Sequence, residues 1–162
     1  MTAVLIVSPW RHAAVLAGCI VASFAPGVFG ARFQPGDWYA QLVKSPLTPP
    51  GWVFPIAWTT LYITIGVALY VMLIHTSGRE RRVPLAVFVI QLALNGAWSW
   101  LFFGCHAVTA ALIEIGVLWL SIVAMGFAFA RHSRFAGTLL LPYLAWVSFA
   151  TYLNFEIWRA NT

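Results

Sequence analysis

Long apolar stretches separated by short polar segments form the main pattern of this sequence. Five of them lie at about 12–31, 52–75, 83–104, 107–130 and 135–158, and each supplies the roughly 20 residues that an α-helix needs to cross a bilayer. Most connections between them are short, which implies antiparallel neighbours in one bundle. We therefore predict an all-α membrane protein in which residues 1–162 form a single domain, a bundle of five transmembrane helices.

The first connection between the predicted helices is longer than the others. It covers about 32–51 and contains Pro35, Pro46, Pro49 and Pro50. Loops of this length inside one domain are usually functional, as binding loops or lids. We expect this segment to form a lid over a pocket.

Composition and charge support a membrane location. The chain is 62% hydrophobic and 8% charged, whereas soluble domains are about a quarter charged. Basic residues between apolar stretches favour contact with lipid headgroups, so the net charge of +5 does not predict nucleic-acid binding. In an inner membrane the positive-inside rule places the N-terminus in the cytoplasm and the C-terminus opposite. One side carries Arg11, Arg79, Arg81, Arg82, Arg131 and Arg134, and the other carries Arg32, Lys44 and Arg159.

Cysteine and histidine spacing predicts no metal site. Cys19 lies in the first apolar stretch and Cys105 ends the third, so we expect both to be buried free thiols. The four histidines fall at the ends of the predicted helices and are interpreted as interface residues. They are His12, His75, His106 and His132.

Several polar side chains lie within the apolar stretches, where an unpaired polar group is costly. Gln91, Asn95 and Ser99 recur every four residues and share one helix face with Trp98 beside them. This face either joins helices by hydrogen bonds or contacts a ligand. Glu114 is either neutral, paired or in a wet pocket, and no neighbouring carboxylate or histidine supports acid–base catalysis.

Aromatic and small residues mark two further helix faces. Trp58 and Tyr62 in the second helix, and Tyr143 and Trp146 in the fifth, lie deep in apolar stretches, where such rings need polar partners, a flat ligand or plain core packing. The first helix has a small residue at every fourth position, which permits close packing in the bundle or in a dimer. These positions are Ala14, Gly18, Ala22, Pro26 and Gly30, with a kink expected at Pro26-Gly27.

A set of short motifs follows in a fixed order over about 30–160. The order is Asp37-Trp38-Tyr39, Lys44, Pro49-Pro50, Trp52-Val53-Phe54, Trp58, Leu61-Tyr62, Gln91-Leu92-Ala93, Asn95, Trp98, Phe102-Phe103-Gly104, Leu141-Pro142-Tyr143, Trp146, Ala150-Thr151, Leu153-Asn154 and Trp158-Arg159. In combination these motifs resemble the TspO/MBR family, the translocator or peripheral benzodiazepine receptor proteins.

The resemblance implies a five-helix bundle, often dimeric, whose pocket is capped by the first loop. It also implies protoporphyrin IX, haem-type tetrapyrroles and synthetic isoquinoline compounds as ligands, with no cofactor or metal required. A homodimer in a bacterial cell membrane, or in an outer membrane, is the expected form. Carried over by position, the ligand-binding residues would be Trp38, Lys44, Trp52, Trp58, Tyr62, Asn95, Trp98, Tyr143, Trp146, Ala150 and Asn154.

Two positions depart from the family pattern. Leu47 replaces the tryptophan usual in the first loop, so we expect the choice of ligand at the lid to differ between this chain and its relatives. Phe155 replaces the tyrosine of the cholesterol motif, and we do not predict sterol binding.

Three functions remain open at this point. The first is tetrapyrrole binding for transport, sensing or scavenging. The second is light- or oxygen-dependent porphyrin degradation, with Trp58 and Trp146 as candidate electron donors. The third is a dimeric membrane scaffold.

Overall fold

The computed structural model describes residues 9–162, and the N-terminal end of the predicted domain, residues 1–8, lies outside the described part. Five helical stretches are long and apolar enough to cross a membrane, and no β-strand occurs in residues 9–162, so the predicted fold class is confirmed. The spans are Pro9–Gly30, Val53–Ile74, Gly78–Gly104, Val108–Ala130 and Arg134–Asn161. Their ends differ most from prediction at the start of the first and third spans and at the end of the fifth.

The first span is broken into two helices, α1 (Pro9–Ser23) and α2 (Ala25–Gly30). Pro26 follows the break and is buried. Proline has no N–H for the helix ladder, and its ring clashes with the carbonyl one turn earlier. The expected kink therefore lies at this proline. The lid segment (32–51) follows α2 and contains a short helix, α3 (Asp37–Gln41).

The second and fourth spans are single helices, the third is an α-helix with a modified turn at each end, and the fifth is divided into two helices. These are α4 (Val53–Ile74), α5 (Arg82–Ser99), α6 (Val108–Ala130), α7 (Arg134–Thr138) and α8 (Leu141–Asn161). A 3₁₀ turn, Gly78–Arg81, precedes α5, and a π-helical turn, Trp100–Gly104, follows it. Pro142 lies in the first turn of α8, where its missing N–H costs nothing, and it separates α8 from α7.

The small-residue face of the first span divides between two environments. Pro26 and Gly30 face α5, and a Cβ at Gly30 would lie 2.9 Å from Ser99 Oγ. Gly18 has no atom within 4 Å of the position of a Cβ, and Ala14 and Ala22 are exposed. Only the C-terminal part of this face therefore contributes to packing within the bundle.

The closest approach of α1 and α4 occurs at Gly66. A Cβ at this position would lie 2.5 Å from Ile20 Cα, so only glycine permits this separation of the two backbones. Sequence spacing does not single out Gly66, because one glycine in an apolar helix has no partner that can be read from spacing.

The main core takes buried side chains from α1 and from α4 to α8, among them Ile65, Met125 and Tyr143. The opposite face of α6 exposes Ile113 and Leu120, as expected of a helix that contacts lipid.

The thiols lie in different environments. Cys19 is buried, as expected, whereas Cys105 is exposed, so the prediction that both are buried was wrong. Cys105 directly follows the π-helical turn, where the chain leaves the span for the connection to α6. A position at the end of an apolar stretch is therefore not enough to bury a side chain.

Candidate functional site

A cavity of about 560 Å³ lies between the helices, under the lid segment. Four spans contribute walls, through α2, α4, the end of the third span and α8. Its volume is within the range of about 300–1,000 Å³ that small-molecule sites occupy. Aromatic walls are supplied by Phe33, Tyr39, Phe54, Trp58, Tyr62, Trp98, Phe102 and Phe103.

A chain of hydrogen bonds fixes the side chain of Asn95, one of the polar residues that line this cavity. Tyr62 Oη donates to Asn95 Oδ1 at 3.1 Å, and Asn95 Nδ2 donates to Tyr143 Oη at 2.9 Å. Tyr143 Oη in turn donates to Gln91 Oε1 at 3.0 Å. An amide nitrogen has two N–H groups, so Asn95 keeps one donor for a ligand while its oxygen is already engaged.

A second asparagine is fixed in the same way. Trp98 Nε1 donates to Asn154 Oδ1 at 3.0 Å, and Asn154 Nδ2 donates to the Val108 carbonyl at 3.4 Å. One N–H of Asn154 is therefore also left without a described partner. Both asparagines line the cavity, so its polar surface offers donors.

The lid segment brings a cation to the cavity. Lys44 Nζ donates to the carbonyls of Ala40 at 3.2 Å and Leu42 at 2.8 Å, and lies 4.8 Å from the centre of the Tyr39 ring. One of its three N–H groups is left for a ligand. Burial raises the pKa of Tyr39 above its ordinary value, so this phenol stays neutral beside the ammonium group. Among the described lining residues Lys44 is the only charged one.

One hydroxyl on the lid segment has no partner. Thr48 Oγ1 is buried and forms no hydrogen bond within residues 9–162, although Thr48 lines the cavity. A buried hydroxyl without a partner is costly.

Comparison with known proteins agrees with this architecture. The sequence model of the TspO/MBR family matches residues 14–159. The chain belongs to the TspO/MBR family. It is similar to the tryptophan-rich protein TspO of Chlorobaculum tepidum, at 46% identity over 90% of this chain and 95% of that protein. It is also similar to the protein CrtK of Rhodobacter capsulatus, at 37% identity over 87% and 89% of the two chains. The translocator protein of Homo sapiens is 39% identical to this chain, over 82% of this chain and 81% of the human protein.

Family membership and the five apolar spans identify a multi-pass membrane protein. Of the residues predicted to bind a ligand, seven line the cavity. These are Lys44, Trp58, Tyr62, Asn95, Trp98, Ala150 and Asn154. The ligand roles of all eleven predicted residues stay predictions.

The other four predicted residues lie outside the cavity walls. Tyr143 is fully buried behind Asn95, where it positions the amide. Trp38 stacks on His106 with ring centres 4.1 Å apart. Trp52 is 67% exposed. Trp146 faces a separate, smaller cavity.

The smaller cavity has a volume of about 40 Å³ and shares walls with the larger one. Trp58 and Asn95 line both cavities, and Trp146 closes the smaller one. Trp146 Nε1 is buried and donates to no atom within the described residues. The space exceeds the roughly 10–15 Å³ that one water molecule needs.

Several walls were not predicted as site residues from sequence. Pro26, Gly27 and Gly30 line the cavity, although the spacing of Pro26 and Gly30 had indicated only helix packing and Pro26-Gly27 only a kink. Ser99 lines it too, and the signal was present because it shares a helix face with Asn95. A glycine wall gives no signal in a single sequence, since it acts by leaving space.

Glu114 lies outside both cavity walls. Both carboxyl oxygens are buried and have no hydrogen-bond partner in the described part of the chain, which rules out pairing with a side chain there. No group of three metal-ligating side chains occurs among residues 9–162.

Proposed function

We propose that this protein binds a tetrapyrrole, such as protoporphyrin IX or a haem-type macrocycle, within the membrane, in transport, sensing or scavenging. The observation that carries the proposal is the cavity of about 560 Å³, in which aromatic walls surround polar groups that are donors. A tetrapyrrole is flat and apolar, and its propionate groups accept hydrogen bonds. Family membership is consistent with this ligand class.

The aromatic walls suit the flat part of the ligand. Trp58 and Tyr62 stack with ring centres 5.4 Å apart, and Trp98 stacks on Phe102 at 5.0 Å. These rings are held by their neighbours before a ligand arrives, so ordering them costs little on binding. A rigid macrocycle also loses little conformational freedom.

The donors suit the carboxylate groups. The free N–H groups of Asn95 and Asn154 and the remaining N–H of Lys44 can each donate to a carboxylate oxygen. Hydrogen bonds to a charged acceptor are stronger than those between neutral groups. Lys44 also supplies the opposite charge.

A ligand titration on the purified protein in detergent or nanodiscs tests the proposal. We expect protoporphyrin IX to quench tryptophan fluorescence saturably with a dissociation constant in the micromolar range or below, which corresponds to about −8 kcal/mol. An isoquinoline-type compound should compete for the same cavity. Absence of saturable quenching would refute tetrapyrrole binding.

The role of Lys44 has its own controls. Lys44→Gln should weaken binding of protoporphyrin IX but leave binding of its uncharged dimethyl ester nearly unchanged, because only the free acid carries the charges that the ammonium attracts. Arg32→Gln, which changes a basic residue outside the cavity walls, is the matched control. Equal losses for acid and ester would assign Lys44 a purely structural role.

One observation favours porphyrin degradation as a second candidate. Trp58 and Trp146 both line the small cavity, so two oxidisable rings lie beside a water-sized space next to the proposed ligand site. Trp58→Phe and Trp146→Phe should keep porphyrin binding, since a ring remains for stacking, while product formation under light and oxygen falls sharply. Equal product yield in both variants and the parent, at matched porphyrin occupancy, would leave the two residues with a binding role only.

A further inference from the structure

The end of α8 holds the lid segment through a single side chain. Asn161 Oδ1 accepts a hydrogen bond from the Val43 N–H at 2.9 Å, and Asn161 Nδ2 donates to the Val43 carbonyl, also at 2.9 Å. The same Nδ2 donates to the Ile157 carbonyl at 2.8 Å. The amide therefore uses both N–H groups and its oxygen, and it pairs with Val43 as a neighbouring β-strand would.

This pairing acts on the part of the lid segment that faces the cavity. Val43 directly precedes Lys44. The ammonium group of Lys44 donates to the carbonyl of Ala40, inside α3, and to that of Leu42, just after α3. Ser45 adds a second contact to α8, with its Oγ 3.3 Å from Tyr152 Oη. The other end of the lid segment is attached elsewhere, through the stacking of Trp38 on His106.

The helix that holds the lid segment also forms a wall of the cavity. Leu153, Asn154 and Ile157 of α8 line it, and Asn161 lies one turn beyond Ile157. Both the wall and the lid contact are thus fixed to the same helix. Asn161 is exposed, so water competes for its hydrogen bonds and the contact can open reversibly.

We propose that Asn161 is a positioning residue that latches the lid segment to α8 and sets how long a ligand stays in the cavity. The proposal rests on the proposed tetrapyrrole site for its ligand, but the latch itself is a property of the chain. A ligand leaves past the lid segment once the Asn161–Val43 pairing opens, because the Ser45–Tyr152 pair is then the one side-chain hydrogen bond described between residues 43–51 and α8.

Ligand release tests the latch. The protein, loaded with protoporphyrin IX, is mixed with an excess of protein-free phosphatidylcholine vesicles that take up released porphyrin. We expect Asn161→Ala to release it about 10-fold faster than the parent, equivalent to about 1.4 kcal/mol. Thermal unfolding should stay close to that of the parent, because Asn161 is exposed and ends its helix. An unchanged release rate would overturn the proposal.

Two variants serve as controls for the release measurement. Val43→Ala keeps both backbone groups that pair with Asn161, so its release rate should match that of the parent. Thr162→Ala alters the residue next to Asn161. The Thr162 hydroxyl donates a hydrogen bond to the Trp158 carbonyl of α8 and does not contact the lid segment through a described hydrogen bond. Release as fast in these controls as in Asn161→Ala would show that any change near the helix end has the same effect, and would also overturn the latch.

Amide hydrogen exchange on the unliganded protein separates failure of the latch from failure of the tetrapyrrole proposal. Asn161→Ala should accelerate exchange at residues 42–48, including the Val43 N–H, and leave α4 and α6 unchanged. If the parent binds no porphyrin but this acceleration occurs, the tetrapyrrole proposal fails and the latch stands. Unchanged exchange at residues 42–48 would overturn the latch whatever the ligand result.

Discussion

At the scale of single residues, a buried hydrogen-bond chain decides what the cavity presents to a ligand. Tyr143 is fully buried, does not line the cavity, and bridges Asn95 and Gln91. Its hydroxyl orients the Asn95 amide so that a donor is left toward the ligand. Tyr143 thus lies behind the cavity wall, next to Asn95, and its predicted contact with a ligand stays a prediction.

Removing this hydroxyl should destabilise the protein. Tyr143→Phe leaves one Asn95 N–H and the Gln91 oxygen without a partner in a buried site, and we expect a loss of about 1–3 kcal/mol in the free energy of unfolding. Tyr70→Phe is the matched control, because the Tyr70 hydroxyl bonds to His12 at an exposed position. Thermal unfolding in the same detergent compares the two. Equal losses of stability in the two variants would mean that the buried hydrogen bonds of Tyr143 contribute no more than the exposed hydrogen bond of Tyr70.

At the scale of elements, glycines set how closely the helices approach one another. Gly66 allows α1 to reach α4, and Gly27 leaves room for the Tyr62 ring, 2.7 Å from the position of a Cβ. The first contact is to backbone and cannot relax locally. The second is to a side chain that also lines the cavity, so helix packing and the ligand site are coupled.

Replacing Gly66 by alanine should push α1 away from α4. The added Cβ would lie 2.5 Å from Ile20 Cα, and we expect a loss of about 1–3 kcal/mol, the usual cost of overpacking. Gly18→Ala is the matched control, since nothing lies within 4 Å of its Cβ position and alanine is the better helix former. Unfolding temperatures report the stability of both variants relative to the parent. A Gly66→Ala variant as stable as Gly18→Ala would contradict the close approach.

At the scale of the whole molecule, charge is distributed unevenly between the two ends of the bundle. Six arginines lie at one end and three basic residues at the other. Arg81 has an additional structural role, since it donates to the carbonyls of Leu73 and Thr76 at the end of α4. Arg79 and Arg82 are exposed and form no salt bridge within the described residues.

Orientation should follow this distribution if the protein resides in an inner membrane. A reporter fused after Thr162 is expected to be non-cytoplasmic, because the end richer in arginine stays in the cytoplasm. Arg79→Ser with Arg82→Ser should increase the inverted fraction without removing the Arg81 cap, and Arg32→Ser on the opposite side should not. A cytoplasmic reporter in the parent would contradict the expected topology.

The sequence by itself determined the five spans, the break at Pro26, the long first loop, and Trp58, Tyr62, Asn95 and Trp98 as notable residues of the cavity. These follow from local rules, because a bilayer demands long apolar helices, proline lacks a donor, and polar groups in hydrocarbon need a partner. The tertiary structure alone decided that Tyr143 lies behind Asn95, that Cys105 is exposed, that Gly66 meets Ile20 and that Asn161 holds Val43. Each of these depends on which surfaces meet across the bundle, up to 118 residues apart in sequence, and periodicity along one helix carries no information about its partner.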